Sequence, residues 1–163
     1  MFRHIAEHPN HARHLNTLAI TLSSRYDRDH DISDLTEAIA LRREAIQLTS
    51  LSDPNRASHV HDLGIALSSR YNRDHDISDL TEAIVLCREA VQLTSSSDPH
   101  RASRLSNLGT LFETWYDNFG SLTEEDVQEG IQVFEEVLRF VPRSDPAHSN
   151  ARQILDKFVS CRN

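Results

Sequence analysis

The chain contains two nearly identical segments in tandem, residues 9–53 and 54–98. Aligned at an offset of 45 residues, the two segments are identical at 33 of 45 positions. A third, more diverged copy begins at Pro99. A fixed period of this size predicts a stacked array of repeats, because each repeat buries its apolar face only against its neighbours.

Each copy reads as one helix, a polar turn and a second helix. In the middle copy, apolar and small residues recur at helical spacing over residues 54–71 and again over 77–94. Asp-Pro pairs such as Asp53-Pro54 recur at the joins between copies. They predict that a helix starts near each proline, since aspartate accepts from free amides there and proline fits the first helical position.

Small residues mark the expected helix contacts, with Gly64 and Gly109 on first helices and Ala83 and Ala90 on a second helix. A glycine inside a helix costs about 1 kcal/mol relative to alanine, so close approach of two helices is its best explanation. A Leu-Gly pair followed by these two small residues resembles the tetratricopeptide repeat (TPR), whose standard period is about 34 residues. The longer sequence motifs of the repeat, such as Asp-Ile-Ser-Asp-Leu-Thr-Glu-Ala-Ile, resemble repeats of basidiomycete fungal proteins. In those proteins the repeats often precede a caspase-like CHAT peptidase domain.

The resemblance implies an all-α fold, an α-solenoid of antiparallel helix pairs forming a TPR-like superhelix of about three repeats. We expect a single array over residues 1–163, with no cap visible at its beginning. Residues 1–8 resemble the worn end of an earlier repeat, so we expect a short piece of a longer array or a truncated paralogue. The absence of a cap leaves one face of the first helix available for self-association. The expected bounds are 9–53, 54–98 and 99–145 for the repeats and 146–159 for a C-terminal capping helix.

Composition argues against several function classes. The net charge is −8, which disfavours nucleic acid and anionic membranes, because phosphate contacts need clustered Lys and Arg. No apolar run is long enough to span a bilayer, and residues 1–8 lack the apolar core of a signal peptide.

Cys87 and Cys161 form no spaced framework of the kind that disulfides need, so we expect a reduced protein in the cytoplasm. Cys87 is interpreted as a small buried hydrophobic residue. No catalytic or nucleotide-binding motif is present, which predicts a non-enzyme without cofactors.

Four histidines near the start are spaced as metal ligands on a helix could be: His4, His8, His11 and His14. Pro9 interrupts the run, and solvated surface histidines are the better interpretation.

The polar turn at residues 27–31, repeated at 72–76, alternates acids as a calcium loop does. An EF-hand requires glycine at the sixth position, where Ile32 stands here, so the match fails. The last aspartate of each turn is predicted to be a helix N-cap instead, with Asp79 completing a capping box at Asp76.

The resemblance also implies a partner-binding surface, because the first helices of TPR arrays line a concave groove that takes an extended peptide or a helix. The corresponding positions are polar or small and nearly neutral. They are Arg13, Asn16, Thr17, Ile20, Ser23 and Ser24 in copy one, Ser58, His61, Asp62, Ile65, Ser68 and Ser69 in copy two, and Ser103, Ser106, Asn107, Thr110, Glu113 and Thr114 in copy three.

Some TPR proteins clamp a terminal carboxylate with paired Lys and Asn. No Lys or Arg stands at the matching positions, Asn16, Ile20, Asp62, Ser103 and Asn107, which predicts that no such clamp exists. The chain therefore reads as a non-catalytic protein–protein interaction scaffold. The alternative is a regulatory or sensor array of a CHAT peptidase system whose catalytic domain is absent from this chain.

The differences between copies one and two are concentrated on the first helix. Seven of the 12 mismatches fall within residues 11–21. Three of the seven are groove positions, the pairs Arg13/Ser58, Asn16/His61 and Thr17/Asp62. Diversification of a recognition surface would produce this pattern, and so would a lower tolerance for change in a second helix packed on both sides.

Overall fold

The computed structural model describes residues 8–161, and this part of the chain forms seven α-helices and no strand. Helices α1 with α2, α3 with α4, and α5 with α6 are the pairs of the three copies, and α7 occupies the segment predicted as a capping helix. The all-α fold is confirmed. The helices are α1 His8–Asp29, α2 Ile32–Gln47, α3 Arg56–Asp74, α4 Ile77–Gln92, α5 Arg101–Phe119, α6 Glu124–Phe140 and α7 Pro146–Cys161.

The chain divides into two compact units, Met1–Leu93 and Thr94–Asn163. In the first unit, α2 packs against both α1 and α3, and α3 also packs against α4. In the second unit, α6 packs against both α5 and α7. Within each unit, helices that follow one another in sequence are neighbours in space, as a TPR-like α-solenoid requires. The single array over residues 1–163 stays a prediction.

The helix predicted to start near Pro54 begins two residues further on, at Arg56. Asp53 accepts a hydrogen bond from the amide of Asn55 at 2.7 Å, which closes a turn ahead of the helix. The aspartate at the next join forms the same turn. Only at the third join does the helix begin at the proline itself, Pro146.

The predicted N-caps are confirmed at both polar turns. Asp31 and Asp76 each accept from the amide two residues further on, at 2.9 and 3.0 Å. The predicted capping box is wrong, because Asp79 is buried and accepts instead from the Arg70 guanidinium at 2.6 and 2.7 Å. A bidentate, charge-assisted pair is stronger than one bond to a backbone amide, so the carboxylate turns toward the arginine.

The first helix of each pair ends on a residue in the left-handed conformation. These residues are His30, His75 and Gly120, with φ of 57°, 56° and 68°. Each donates its amide to the carbonyl four residues earlier, at 2.7 or 2.8 Å. Side chains rarely adopt this conformation, so glycine is the least strained of the three. The His30 and His75 rings lie edge-on to Tyr26 and Tyr71.

The close helix approach predicted at Gly64 and Gly109 is confirmed. A Cβ atom at Gly64 would lie 2.7 Å from the Cys87 sulfur, and one at Gly109 would lie 2.4 Å from the Phe134 ring. In both cases a side chain of the second helix occupies the space over a glycine of the first. We call this position, at residues 42, 87 and 134 of the three copies, the interhelical slot.

Candidate functional site

The predicted groove residues lie on the first helices of the three pairs, α1, α3 and α5. None of the 18 predicted positions is buried, so each presents some surface to solvent. The groove and the binding of a partner both stay predictions. The exposed positions are Arg13, Thr17, Ile20, Ser24, Ser103 and Thr110, and the half-buried positions are Asn16, Ser23, Ser58, His61, Asp62, Ile65, Ser68, Ser69, Ser106, Asn107, Glu113 and Thr114.

The structure brings three groove residues of the first unit together around one cation, Arg42 of α2. Its Nη1 atom lies 3.4 Å from the Asn16 amide oxygen and 3.4 Å from a carboxylate oxygen of Asp62. Its Nη2 atom donates to the Ser23 hydroxyl at 3.1 Å. Groups from α1 and α3 therefore meet at a guanidinium supplied by α2. We call Arg42, Asn16, Ser23 and Asp62 the Arg42 cluster.

The guanidinium of Arg42 is deeply buried, with only 7% of its side chain exposed. Its Nε atom is buried and has no hydrogen-bond partner. Burial lowers the pKa of Arg42 below its ordinary value, because it removes water from the charged form, and the Asp62 carboxylate opposes this effect. Arg42 is thus a buried cation whose Nη1 and Nη2 atoms have polar partners and whose Nε atom has none.

Arg42 occupies the interhelical slot that Cys87 fills in copy two and Phe134 fills in copy three. Those two residues are buried and uncharged. The small residue opposite the slot changes as well, from Gly64 to Ala19 in copy one. Copy one is therefore the repeat in which a charged group replaces an uncharged one at this position.

Sequence reasoning missed Arg42 because it considered only first-helix residues as groove positions. A signal was present, since Arg42 interrupts the apolar stripe formed by Leu35, Ala38, Ile39 and Ala45 on the second helix. A charge in such a stripe marks either a satisfied buried pair or a functional group. Only the packing of α1 and α3 shows which side chains surround it.

Two other groove residues of α1, Arg13 and Thr17, bond within their own helix. The Thr17 hydroxyl donates to the carbonyl of Arg13 at 2.9 Å, and the Arg13 guanidinium donates to Asn10 at 3.1 Å. Thr110 on α5 likewise donates to the carbonyl of Ser106. These bonds leave the side chains of Arg13, Thr17 and Thr110 exposed at the surface.

A cleft of about 750 Å³ lies in the first unit, between the start of α1, the end of α2 and the segment before α3. Amide, hydroxyl, guanidinium and imidazole groups of Asn10, Arg13, Thr49, Asn55 and His59 line it. Arg13 is the one predicted groove residue among its lining residues. The Arg42 cluster contributes none of the lining, so the cleft is a different surface feature.

The candidate metal ligands have other surroundings. His4 and the side chain of His8 lie outside the described residues. His11 has its Nε2 atom 3.5 Å from the Glu44 carboxylate, and His14 is exposed. Within the described part of the chain, no three His, Cys, Asp or Glu side chains are grouped as metal ligands would be. None of the described helices is long and apolar enough to cross a membrane.

Residues 11–48 match the family model of the tetratricopeptide repeat. The match and the all-helical structure support a TPR-like protein. The matched segment covers α2 and most of α1. Copy two repeats that segment with few changes over α3 and α4. No curated protein sequence matches the chain.

Proposed function

We propose that this TPR-like chain is a non-catalytic scaffold that binds a protein partner, as a peptide or a helix, on the surface of α1 and α3 in its first unit. TPR folds typically lack catalytic activity and bind other proteins. The observation that carries the proposal is the placement of the predicted groove residues of α1 and α3 at accessible positions. Ile20 supplies an apolar contact within this polar surface, since 48% of it is exposed.

The mismatches between copies one and two bear on the same surface. The side chains of Arg13, Asn16 and Thr17 are accessible to solvent. Their counterparts in α3 are accessible as well, and they are Ser58, His61 and Asp62. Three other mismatches of the first helix fall where α3 buries Val60, Gly64 and Ala66, so packing also accounts for part of the divergence. Exchanging Arg13, Asn16 and Thr17 for their copy-two counterparts should change partner preference if the surface recognises a partner.

Capture of partners from the source cells tests the proposal. The intact chain is compared with Ile20→Arg, which places a charge on the proposed surface. Val85→Arg is the matched control, because Val85 is similarly exposed, at 54%, but lies on the second helix of its pair. A partner retained by the intact chain and Val85→Arg but lost by Ile20→Arg supports the proposal. Equal retention by all three chains contradicts it.

The alternative, a regulatory array of a CHAT peptidase system, rests on the sequence motifs of the repeats. It predicts that the captured partner carries a CHAT domain and that its peptidase activity changes when this chain is added. A captured partner without any peptidase domain would favour the general scaffold instead.

A further inference from the structure

The cleft of about 750 Å³ in the first unit has a lining that suits a cation. It lies against the C-terminal end of α2, whose last turn contains no basic residue. The carbonyl end of a helix carries partial negative charge and favours a cation. The half-buried carboxylate of Asp53 and the hydroxyl of Thr49 add two hydrogen-bond acceptors to the wall. The hydroxyl can accept because it donates its own proton to the carbonyl of Ala45, at 2.7 Å.

The second unit shows which group fits between such acceptors. There Arg104 is buried, and its Nη1 atom donates to the Thr94 hydroxyl at 2.5 Å. The same atom lies 3.8 Å from a carboxylate oxygen of Asp98. Thr94 and Asp98 are the counterparts of Thr49 and Asp53, 45 residues further on. The end of copy two therefore holds a guanidinium between the same two side chains that line the cleft at the end of copy one.

At the end of copy one, the residue equivalent to this arginine is His59, and the guanidinium is missing. The Nδ1 atom of His59 lies 3.3 Å from the Thr49 hydroxyl. Asp53 accepts from the amide of Asn55 at 2.7 Å, and within the described part of the chain it makes no ion pair, in contrast to Asp98. The shorter histidine side chain thus leaves a carboxylate in the cleft wall without the cation that its counterpart has.

A second arginine is common to both joins and does not replace the missing guanidinium. Arg56 donates to the backbone carbonyl of Thr49 at 3.2 Å, and Arg101 donates to the backbone carbonyl of Thr94 at 2.7 Å. Copy three adds Arg104 to this arrangement, whereas copy two adds no second arginine to it. The position is therefore vacant in addition to, and not because of, the arginine that already bonds the backbone.

Arg13 also lines the cleft, and its charge opposes a second guanidinium. Its side chain is exposed and donates to the Asn10 amide oxygen at 3.1 Å. Water screens the repulsion from an exposed charge more strongly than the attraction of a half-buried one. The net charge of −8 also draws basic segments toward the chain. The balance favours a cation over an anion in this cleft.

We propose that the cleft binds the guanidinium of an arginine side chain of the partner, with Thr49 and Asp53 as its acceptors. The planar guanidinium carries five N–H donors and can reach a hydroxyl and a carboxylate together, as Arg104 does. A cleft of this size, within the range of about 300–1,000 Å³ for ligand pockets, holds such a side chain with its adjoining backbone. The inference rests on the proposed function, because the arginine belongs to a partner seated on the adjoining surface of α1 and α3.

NMR titration of the ¹⁵N-labelled chain at neutral pH tests this through the backbone amides of residues 47–55 and the ring of His59. The probe is N-acetylarginine amide, which presents the side chain without terminal charges. N-acetylcitrulline amide is the neutral control of the same shape, and N-acetyllysine amide presents an ammonium group. Sodium chloride holds the ionic strength constant. We expect a saturable shift with the arginine probe, a weaker one with lysine and none with citrulline.

Three outcomes overturn the inference. The first is no saturation with the arginine probe below about 50 mM. The second is an equal shift with citrulline, because the charge would then play no part. The third is equal affinity for lysine and arginine, because the cleft would then attract any cation and would not recognise the guanidinium.

Variants of the cleft separate binding from effects on the fold. His59→Arg supplies the guanidinium from within, as copy three does, so it should keep the helical circular dichroism and lose the probe-induced shifts. His14→Arg is the matched control, because His14 is the equivalent residue of copy one, is exposed and does not line the cleft. It should bind the probe as the intact chain does. Persistent shifts in His59→Arg contradict the proposal.

Two further variants test the charges. Asp53→Asn keeps an oxygen for the Asn55 amide but removes the carboxylate, so it should weaken binding of the arginine probe about tenfold. Arg13→Ser introduces the residue of copy two and removes the opposing charge, so it should tighten binding about two- to fivefold. Unchanged affinity in Asp53→Asn contradicts the proposal, and so does weaker binding in Arg13→Ser.

Failure of this inference is distinguishable from failure of the proposed function. If partner capture depends on Ile20 but is the same with His59→Arg and the intact chain, the binding surface stands and the role of the cleft falls. If the arginine probe binds the cleft while capture is insensitive to Ile20→Arg, the cleft binds a guanidinium but the proposed surface does not hold the partner.

Discussion

The interhelical slot holds Arg42, Cys87 or Phe134, and the residue opposite it is small in every copy. Burial raises the pKa of the Cys87 thiol to about 12, because the thiolate would lie in an apolar environment. Cys87 is therefore unreactive at neutral pH, and its interpretation as a small buried hydrophobe is confirmed. One side chain thus decides whether the slot is apolar or charged.

Gly109→Ala should destabilise the protein, although alanine favours helices by about 1 kcal/mol. The new Cβ would lie 2.4 Å from the rigid Phe134 ring, so the helices must separate. We expect a net loss of about 1–2 kcal/mol in the free energy of unfolding, measured by urea denaturation. Ser103→Ala, at an exposed position of the same helix, should change it by less than about 0.5 kcal/mol. A stabilised Gly109→Ala would contradict the close approach.

The N-caps make part of the stability depend on pH. The hydroxyl and then the amide of the serine two residues further on hold the pKa values of Asp31 and Asp76 below their ordinary value of 3.8. The ionised carboxylates are favoured in the folded state. Their contribution is therefore complete above about pH 4 and is lost as the pH falls through the folded-state pKa.

Asp31→Asn/Asp76→Asn should lose less stability on acidification than the intact chain, because asparagine caps a helix without titrating. The measurement is Tm from about pH 6 down to about pH 2.5. Ser33→Ala/Ser78→Ala keeps both carboxylates but removes their strongest donors, so it should also flatten the curve. Parallel curves for all three chains would show that the caps do not contribute.

At the scale of elements, the same arginine–aspartate pair joins the two helices of copies one and two. Arg25 pairs with Asp34, and Arg70 pairs with Asp79. Both aspartates are buried, whereas the Arg25 side chain is 52% exposed and the Arg70 side chain 21% exposed. Copy three replaces the arginine with Trp115, whose indole donates to a loop carbonyl at 3.0 Å.

Arg70→Gln should destabilise the first unit by roughly 2–3 kcal/mol, because it leaves the Asp79 carboxylate buried and without its cation. Arg25→Gln is the matched variant, and it should cost less, since water reaches the more exposed pair. Urea denaturation of both variants gives the comparison. A larger loss for Arg25→Gln would show that burial does not set the strength of these pairs.

At the scale of the whole molecule, the described helices leave one face of α1 uncovered. Leu18 is 47% exposed, whereas its counterpart Leu63 is 3% exposed. The reason is that α3 packs against α2 and α4, whereas α1 packs extensively only against α2 among the described helices. Leu18 is therefore the apolar side chain that association through this face would cover.

We expect this face of α1 to pair with a second copy of the chain. Sedimentation velocity over about 1–100 µM should then show a mass that rises with concentration. Leu18→Glu should shift the equilibrium toward the monomer, whereas Val85→Glu, at an equally exposed position on α4, should not. A monomer at every concentration would contradict the expectation. The cytoplasmic location and the fungal, CHAT-associated origin stay predictions.

The sequence by itself determined the all-α class, the helix pairs and the close contacts at Gly64 and Gly109, because the 45-residue period and helical spacing are local patterns. It also located the N-caps, which depend on residues two positions apart. It placed the start of α3 only near Pro54, and the helix begins at Arg56.

Only the tertiary structure decided what surrounds Arg42 and where Asp79 turns. Arg42 meets Asn16 and Asp62 across 26 and 20 residues of sequence, and these side chains meet only when α2 packs between α1 and α3. Periodicity reports which face of a helix is apolar, but a buried charge is paired by whichever groups the neighbouring helices bring to it.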